Sequence, residues 1–169
     1  ATLLAATLAK LPKFGSGAGY YNAGLGIPYN LPSSKLSAHW LHDEPLPAAW
    51  IRAPGRLQNT FANESFLDEI ATATSTDPFE IRKRYLTDQR GLELLERLRS
   101  LAKWEPRGAR PRDAGPVARG RGSSYVKYEL VRTYVAVVAD VTVNRTTGAI
   151  KVDCVFAAHD CGQIINPDG

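Results

Sequence analysis

The sequence predicts an α+β fold in which helices come first and an antiparallel β-hairpin follows. Three observations carry that expectation. Apolar residues recur at helical spacing from about residue 56 to residue 104. They change to period-two alternation from about residue 133, and a Thr-Thr-Gly-Ala turn separates two such alternating runs. Apolar residues fill 44% and charged residues 22% of the 169 positions, the balance of a globular chain long enough to bury one core without cross-links.

The elements follow in order. Residues 12–47 are rich in Gly, Pro, Ser and Tyr and read as loop. After the turn Arg52–Gly55, residues Ala62, Phe66, Ile70 and Ala73 recur at helical spacing, which predicts a helix of about four turns buried on that stripe. Glu64, Asp68 and Glu69 then fall on a solvated face. A second helix starts at Asp77-Pro78-Phe79-Glu80, with Asp77 as cap, Pro78 at the first helical position and Glu80 closing a capping box, and it ends near Leu86. A third spans about Gln89–Trp104, with Leu92, Leu95, Leu98 and Ala102 as its buried stripe and Glu93 and Arg97 as an i,i+4 pair. The stretch EPRGARPRDAGPVARGRGSS, residues 105–124, is expected to be loop because Pro and Gly break it throughout. In the first strand, Val135, Val137, Ala139, Val141 and Val143 share one face and are expected in the core. In the second, Ile150, Val152, Cys154, Phe156 and Ala158 share one face.

Composition narrows the function classes. A formal net charge of +4 is mildly basic; it permits contact with anions without requiring nucleic acid. Cys154 and Cys161 are too few for a disulfide framework and leave the redox compartment open. No apolar run reaches the roughly 18–20 residues of a membrane span. The opening ATLLAATLAKLP has no basic leader and no initiating Met, and the chain stops at INPDG just after an apolar strand. Both ends therefore suggest a piece cut from a longer chain.

Several constellations invite a chemical reading. GSGAG, residues 15–19, lacks the strand–helix context of a dinucleotide site and the Lys-Ser/Thr of a P-loop. His39, His42 and Asp43 sit in a Pro-rich loop without further ligands, so solvent-side histidines are expected. Cys154, His159 and Cys161 lack the paired spacing of structural zinc, and Cys154 reads as a core thiol. No nucleophile with an adjacent base stands out. Between Arg97 and Arg121 there are eight basic residues and two acids, with Trp104 the lone aromatic; a solvated loop is expected, and a polyanion-binding module is the alternative. The stretch WIRAPGRLQN is different. Arg52 offers a planar charged fork, Pro54 fixes φ, Gly55 permits close backbone approach, and Gln58 stands in the first turn of a helix whose N–H groups favour anions. These residues suit an oxyanion or cofactor cradle equally as well as an ordinary turn that starts a helix.

The order of segments adds a resemblance. WIRAPGRLQNTFANESFLDEIA, DPFEIRKRYL, GRGSS, YVAVVADVTVNRTTGAIKV and DCGQIINPDG occur in that order. Over roughly Gly19–Gly169 the chain resembles the molybdopterin-binding large subunit of the xanthine dehydrogenase/aldehyde oxidase family, of the isoquinoline 1-oxidoreductase beta-subunit type. The resemblance implies that residues 1–169 form one α+β segment of a larger molybdopterin-binding domain. It implies that Arg52, Ala53, Pro54, Gly55 and Gln58 lie at the molybdopterin cofactor, with Arg52 positioning it. It further implies a substrate that is an aromatic heterocycle or an aldehyde, and an iron–sulfur partner subunit carrying [2Fe–2S] clusters beside the rest of the chain's own subunit. The glutamate base of the family and a Gly-Gln segment, both downstream of the NPDG-like ending, have no counterpart in these residues, and no substrate-facing arginine stands at 19–22. The expectation is therefore a cofactor-binding piece with no catalytic residue of its own, inactive alone; a non-catalytic assembly module is the other reading.

Overall fold

Three helices and a three-stranded antiparallel sheet make up the computed structural model, which describes residues 27–37, 52–53, 55–106, 115–128 and 132–168. The helices are α1 (Arg56–Ala73), α2 (Pro78–Tyr85) and α3 (Gln89–Leu101); the strands are β1 (Val117–Tyr128), β2 (Thr133–Asn144) and β3 (Ile150–Asp160), in the order β1-β2-β3. The α+β class is as expected, and so is the β2–β3 hairpin. Its turn is closed by Asn144, whose Oδ1 accepts from the Thr146 and Thr147 amides, and by Gly148 at φ 73°.

The strand β1 corrects the expectation of a loop at residues 105–124. VARGRGSSYVKY pairs residue by residue with β2, from Val117 opposite Asn144 to Tyr128 opposite Thr133. Gly120 and Gly122 weaken strand propensity locally, but twelve ladder positions against a Val-rich partner outweigh them.

The helices pack on one sheet face and along the β1 edge. α3 crosses β2 and β3, α1 lies along β1, and α2 joins the two. The buried residues of β2 are Tyr134, Ala136 and Val138, the opposite parity from the one expected. Both faces of β2 are apolar, so alternation alone could not choose; Val135, Val137 and Ala139 are half-buried on the far face. On β3 only Ala158 is buried and Phe156 half-buried, while Ile150, Val152 and Cys154 are exposed. The helix layer ends before it reaches them, and a bulge at Asp140/Val141 turns that end of the sheet. Cys154 is thus an exposed thiol rather than a core one.

The stripe expected for α1 is also corrected. Its buried residues are Arg56, Glu64, Leu67 and Ala71, and Phe66 is 61% exposed. Expectation and structure agree better for α2 and α3. Asp77 caps α2 through the Phe79 and Glu80 amides with Pro78 next, although Glu80 Oε1 receives Arg99 Nη1 at 2.9 Å instead of closing a capping box. Leu94, Leu95, Leu98 and Ala102 are buried along and just after α3, with Leu92 packed at the margin.

Candidate functional site

The Arg52–Gly55 turn opens α1 with backbone in the left-handed region at two positions, Ala53 (φ 57°) and Gly55 (φ 71°). Glycine adopts this without cost, whereas Ala53 is held there at about 1–2 kcal/mol. Gly55 is the N-cap residue, so no side chain caps the helix, and the first turn carries no acid. The Ala53 carbonyl accepts from the Arg56 and Leu57 amides at 3.0 and 3.3 Å, and the Gly55 carbonyl accepts from Asn59 at 3.2 Å. Two first-turn amides are therefore already used inside the turn. What this end of α1 offers an anion is the helix dipole and arginine side chains. Arg52 and Gln58 are both exposed; Pro54 lies outside the described residues.

Beside the turn, a cavity of about 660 Å³ opens between α1 and the β1–β2 ribbon. Ala53, Arg56, Phe61, Glu64, Ser123 and Tyr128 are among its walls; Arg52 and Gln58 are not. Of the five residues selected from sequence, the structure brings Ala53 and Gly55 into the turn beside this cavity and leaves Arg52 and Gln58 open to solvent outside it.

The floor of this region is a buried charge cluster that sequence reasoning missed. Arg82 on α2 is fully buried, and all five of its N–H groups are used. Nε donates to Glu64 Oε2 at 2.9 Å, Nη1 to Asp68 Oδ1 at 2.8 Å and to the Pro78 carbonyl at 2.9 Å, and Nη2 to the Ser123 and Glu64 carbonyls at 2.9 and 3.3 Å. Glu64 also accepts from Tyr29 Oη at 2.9 Å and from the Tyr125 amide at 2.7 Å. The solvated face expected for Glu64 and Asp68 is thus overturned, and only Glu69 is exposed. Burial and then the Glu64 charge raise the Tyr29 phenol well above its ordinary value, which keeps it a neutral donor. Burial opposes the Arg82 charge, but Glu64, Tyr29 and Asp68 together raise its pKa above the ordinary guanidinium range. One signal was available: Glu64, Leu67 and Ala71 lie at i, i+3 and i+7, a helical stripe headed by an acid.

Other candidates carry less. His39, His42, Asp43 and the GSGAG stretch lie outside the described residues. Among the described residues no group of three or more His, Cys, Asp or Glu could hold a metal ion. No described helix is long and apolar enough to cross a membrane. In the basic run, Arg121 is committed to Asp140, with Nη2 2.8 Å from Oδ2, and to the Ala102 carbonyl at 3.2 Å.

Two known family models together cover most of the chain. A model described as a molybdopterin cofactor-binding domain matches residues 14–86, and a second of the same description matches residues 93–169. The chain belongs to the molybdopterin cofactor-binding family. The chain is 38% identical over 130 residues to a subunit of nicotinate dehydrogenase from Pseudomonas putida, a match covering 72% of the chain and 11% of that protein. It is 29% identical over 143 residues to the beta subunit of isoquinoline 1-oxidoreductase from Brevundimonas diminuta, covering 84% of the chain and 17% of that protein. The chain thus spans a small part of the length of these relatives. The α1 turn suits an anionic cofactor in its lack of acids and of a side-chain cap, and Arg52 supplies an exposed cation beside it.

Proposed function

We propose that this chain is part of the molybdenum-cofactor-binding subunit of an oxidoreductase that hydroxylates an aromatic N-heterocycle or oxidises an aldehyde. Residues 1–169 would form one α+β segment of that domain, joined to the rest of its subunit and served by an iron–sulfur partner with [2Fe–2S] clusters. The cofactor, when bound, supplies the two-electron redox chemistry of the substrate carbon. This segment binds and orients: Arg52 contributes charge, Ala53, Pro54 and Gly55 shape the backbone it approaches, and Gln58 offers an amide from the first turn. No catalytic proton transfer is assigned to any residue of the segment, and alone it is inactive.

The observation that carries the reading is the acid-free α1 start, uncapped by any side chain, with Ala53 and Gly55 left-handed and an exposed arginine beside it. The names of the two relatives favour the substrate class, a nitrogen heterocycle above all. The test is Arg52→Ala in the full-length subunit, with pterin and molybdenum assayed per chain after purification. Loss of a charge-assisted contact of about 1.5–3 kcal/mol should lower affinity about 10- to 100-fold. Unchanged retention would remove Arg52 from the cofactor site.

A further inference from the structure

We propose that Glu64 and Arg82 are positioning residues that set the height and tilt of the N-terminal half of α1, and with it the Ala53–Gly55 turn, against β1. Its relevance to the cofactor rests on the function proposed above; its structural content does not.

Among the described residues, apolar packing holds down only one end of α1. Its apolar buried residues, Leu67 and Ala71, both lie in the C-terminal half. In the N-terminal half the large apolar side chains point away from the core, with Leu57 73% and Phe61 76% exposed. The buried residues there are Arg56 and Glu64. Polar anchors, not apolar packing, therefore locate this end of the helix. Glu64 ties this half to the rest of the fold, because its carboxylate reaches three other segments at once: Tyr29 in the loop, Arg82 on α2 and the Tyr125 amide on β1. Arg82 closes the frame by binding the Glu64 carbonyl and Asp68 on α1 and the Ser123 carbonyl on β1.

Geometry then turns an anchor into a lever. Nine residues separate Gly55 from Glu64, about 13 Å along the axis, so a tilt of about 10° at the anchor moves the turn by about 2 Å. Hydrogen bonds tolerate a few tenths of an ångström, so such a shift would unmake contacts at the turn while leaving the apolar core around Leu67, Leu95 and Val138 intact. Apolar replacement of both members leaves neither charge of the pair buried alone, so the cost falls on the groups that the pair held, among them the Tyr29 hydroxyl, the Ser123 carbonyl and the Tyr125 amide.

The experiment uses the full-length subunit. Glu64→Leu/Arg82→Met and, separately, Glu64→Gln are compared with the wild type by thermal melting, by amide exchange over residues 52–61 against residues 94–98 of α3, and by pterin retention. The double variant is expected to melt below the wild type, because the Tyr29 hydroxyl, the Tyr125 amide and the Ser123 carbonyl lose their partners, while exchange at 52–61 rises at least tenfold relative to α3 and pterin retention falls at least tenfold. Should the double variant not fold, Glu64→Gln decides by the same ratio. Exchange that stays at wild-type rates, or rises equally in both segments, overturns the proposal; wild-type pterin retention in a double variant with a loosened turn supports the positioning role and removes the turn from the cofactor site. If the wild-type subunit itself retains no pterin, the proposed function fails, and the exchange ratio still tests the positioning role.

Discussion

Trp104 Nε1 donates to Asp77 Oδ2 at 2.9 Å, while Asp77 Oδ1 accepts from the Phe79 and Glu80 amides that open α2. One carboxylate thus caps one helix and ties down the residues after the next, and the Phe79 and Trp104 rings meet beneath it at 4.9 Å. Asp77→Ala should cost about 2–4 kcal/mol, combining a lost cap with a buried indole donor left unpaired. Asp77→Asn keeps an oxygen for the cap and turns an amide nitrogen toward the indole, so it should cost about half as much. Urea unfolding of the three proteins checks the order; equal losses in the two variants would show that the cap contributes nothing, and an Asp77→Asn as stable as the wild type would show the same of the Trp104 bond.

Gly91 on α3 should resist a substitution that helix propensity favours. An added Cβ would stand 2.4 Å from Tyr125 Oη and 2.8 Å from Leu86 Cδ2. Propensity offers Ala about 1 kcal/mol, but overpacking at a rigid site costs about 1–3. Gly91→Ala is therefore expected to destabilise by about 1 kcal/mol or more. Tyr125 Oη is buried with no hydrogen-bond partner among the described residues, so Tyr125→Phe should be close to neutral and should rescue Gly91→Ala in part, the Leu86 contact remaining. A double-mutant cycle with no coupling would contradict this account.

The Asp160 carboxyl is held at about 2, against an ordinary 3.8, first by Arg90 and then by the Gly162 amide. Between those two values the unfolded chain binds the proton more readily than the folded one. The stabilisation is therefore whole above the ordinary value and fades as pH falls through about 2. Arg90→Ala should move the Asp160 titration, followed by its carboxyl carbon shift, back up toward 3.8. Its stability deficit should narrow on acidification and with added salt, since the pair is solvent-accessible. A titration unmoved by the substitution would assign the shift elsewhere.

The isolated 169-residue chain should self-associate. Leu57 and Phe61 on α1 and Ile150, Val152 and Val155 on β3 are all more than half exposed. Large apolar side chains left exposed on α1, and others on β3, mark interaction faces. Sedimentation at tens of micromolar is expected to show dimers or larger species, reduced when Leu57 and Phe61 become Ser. A monodisperse monomer at that concentration would show that these side chains find cover within the chain.

Local signals in the sequence were decisive where one short-range cause sufficed. The Asp77-Pro78 cap, the α3 leucine stripe and the Asn144–Gly148 turn each follow from a few neighbouring residues, and each is where the sequence puts it. The core face of β2 was not legible, because valines occupy both faces and the choice is made by α3, remote in sequence. β1 was hidden by its glycines and arginines until β2 supplied a ladder. In the candidate site, the Arg52–Gly55 turn could be seen as a motif, but its supporting cluster joins residues 29, 64, 82 and 125, which no window brings together.

The bonds from Arg82 to the Ser123 carbonyl and from the Tyr125 amide to Glu64 also act as a proofreading device for strand alignment. In a strand, backbone groups alternate sides with every residue, so Ser123 and Tyr125 together present an acceptor and a donor along the free edge of β1. A slip of β1 by one position would turn both groups toward β2 and strand a buried guanidinium and carboxylate without backbone partners, a penalty of several kcal/mol. The Ser123–Tyr125 edge is in the same stroke plugged against foreign strands, so an incoming chain seeking a ladder is steered to β3 on the opposite side.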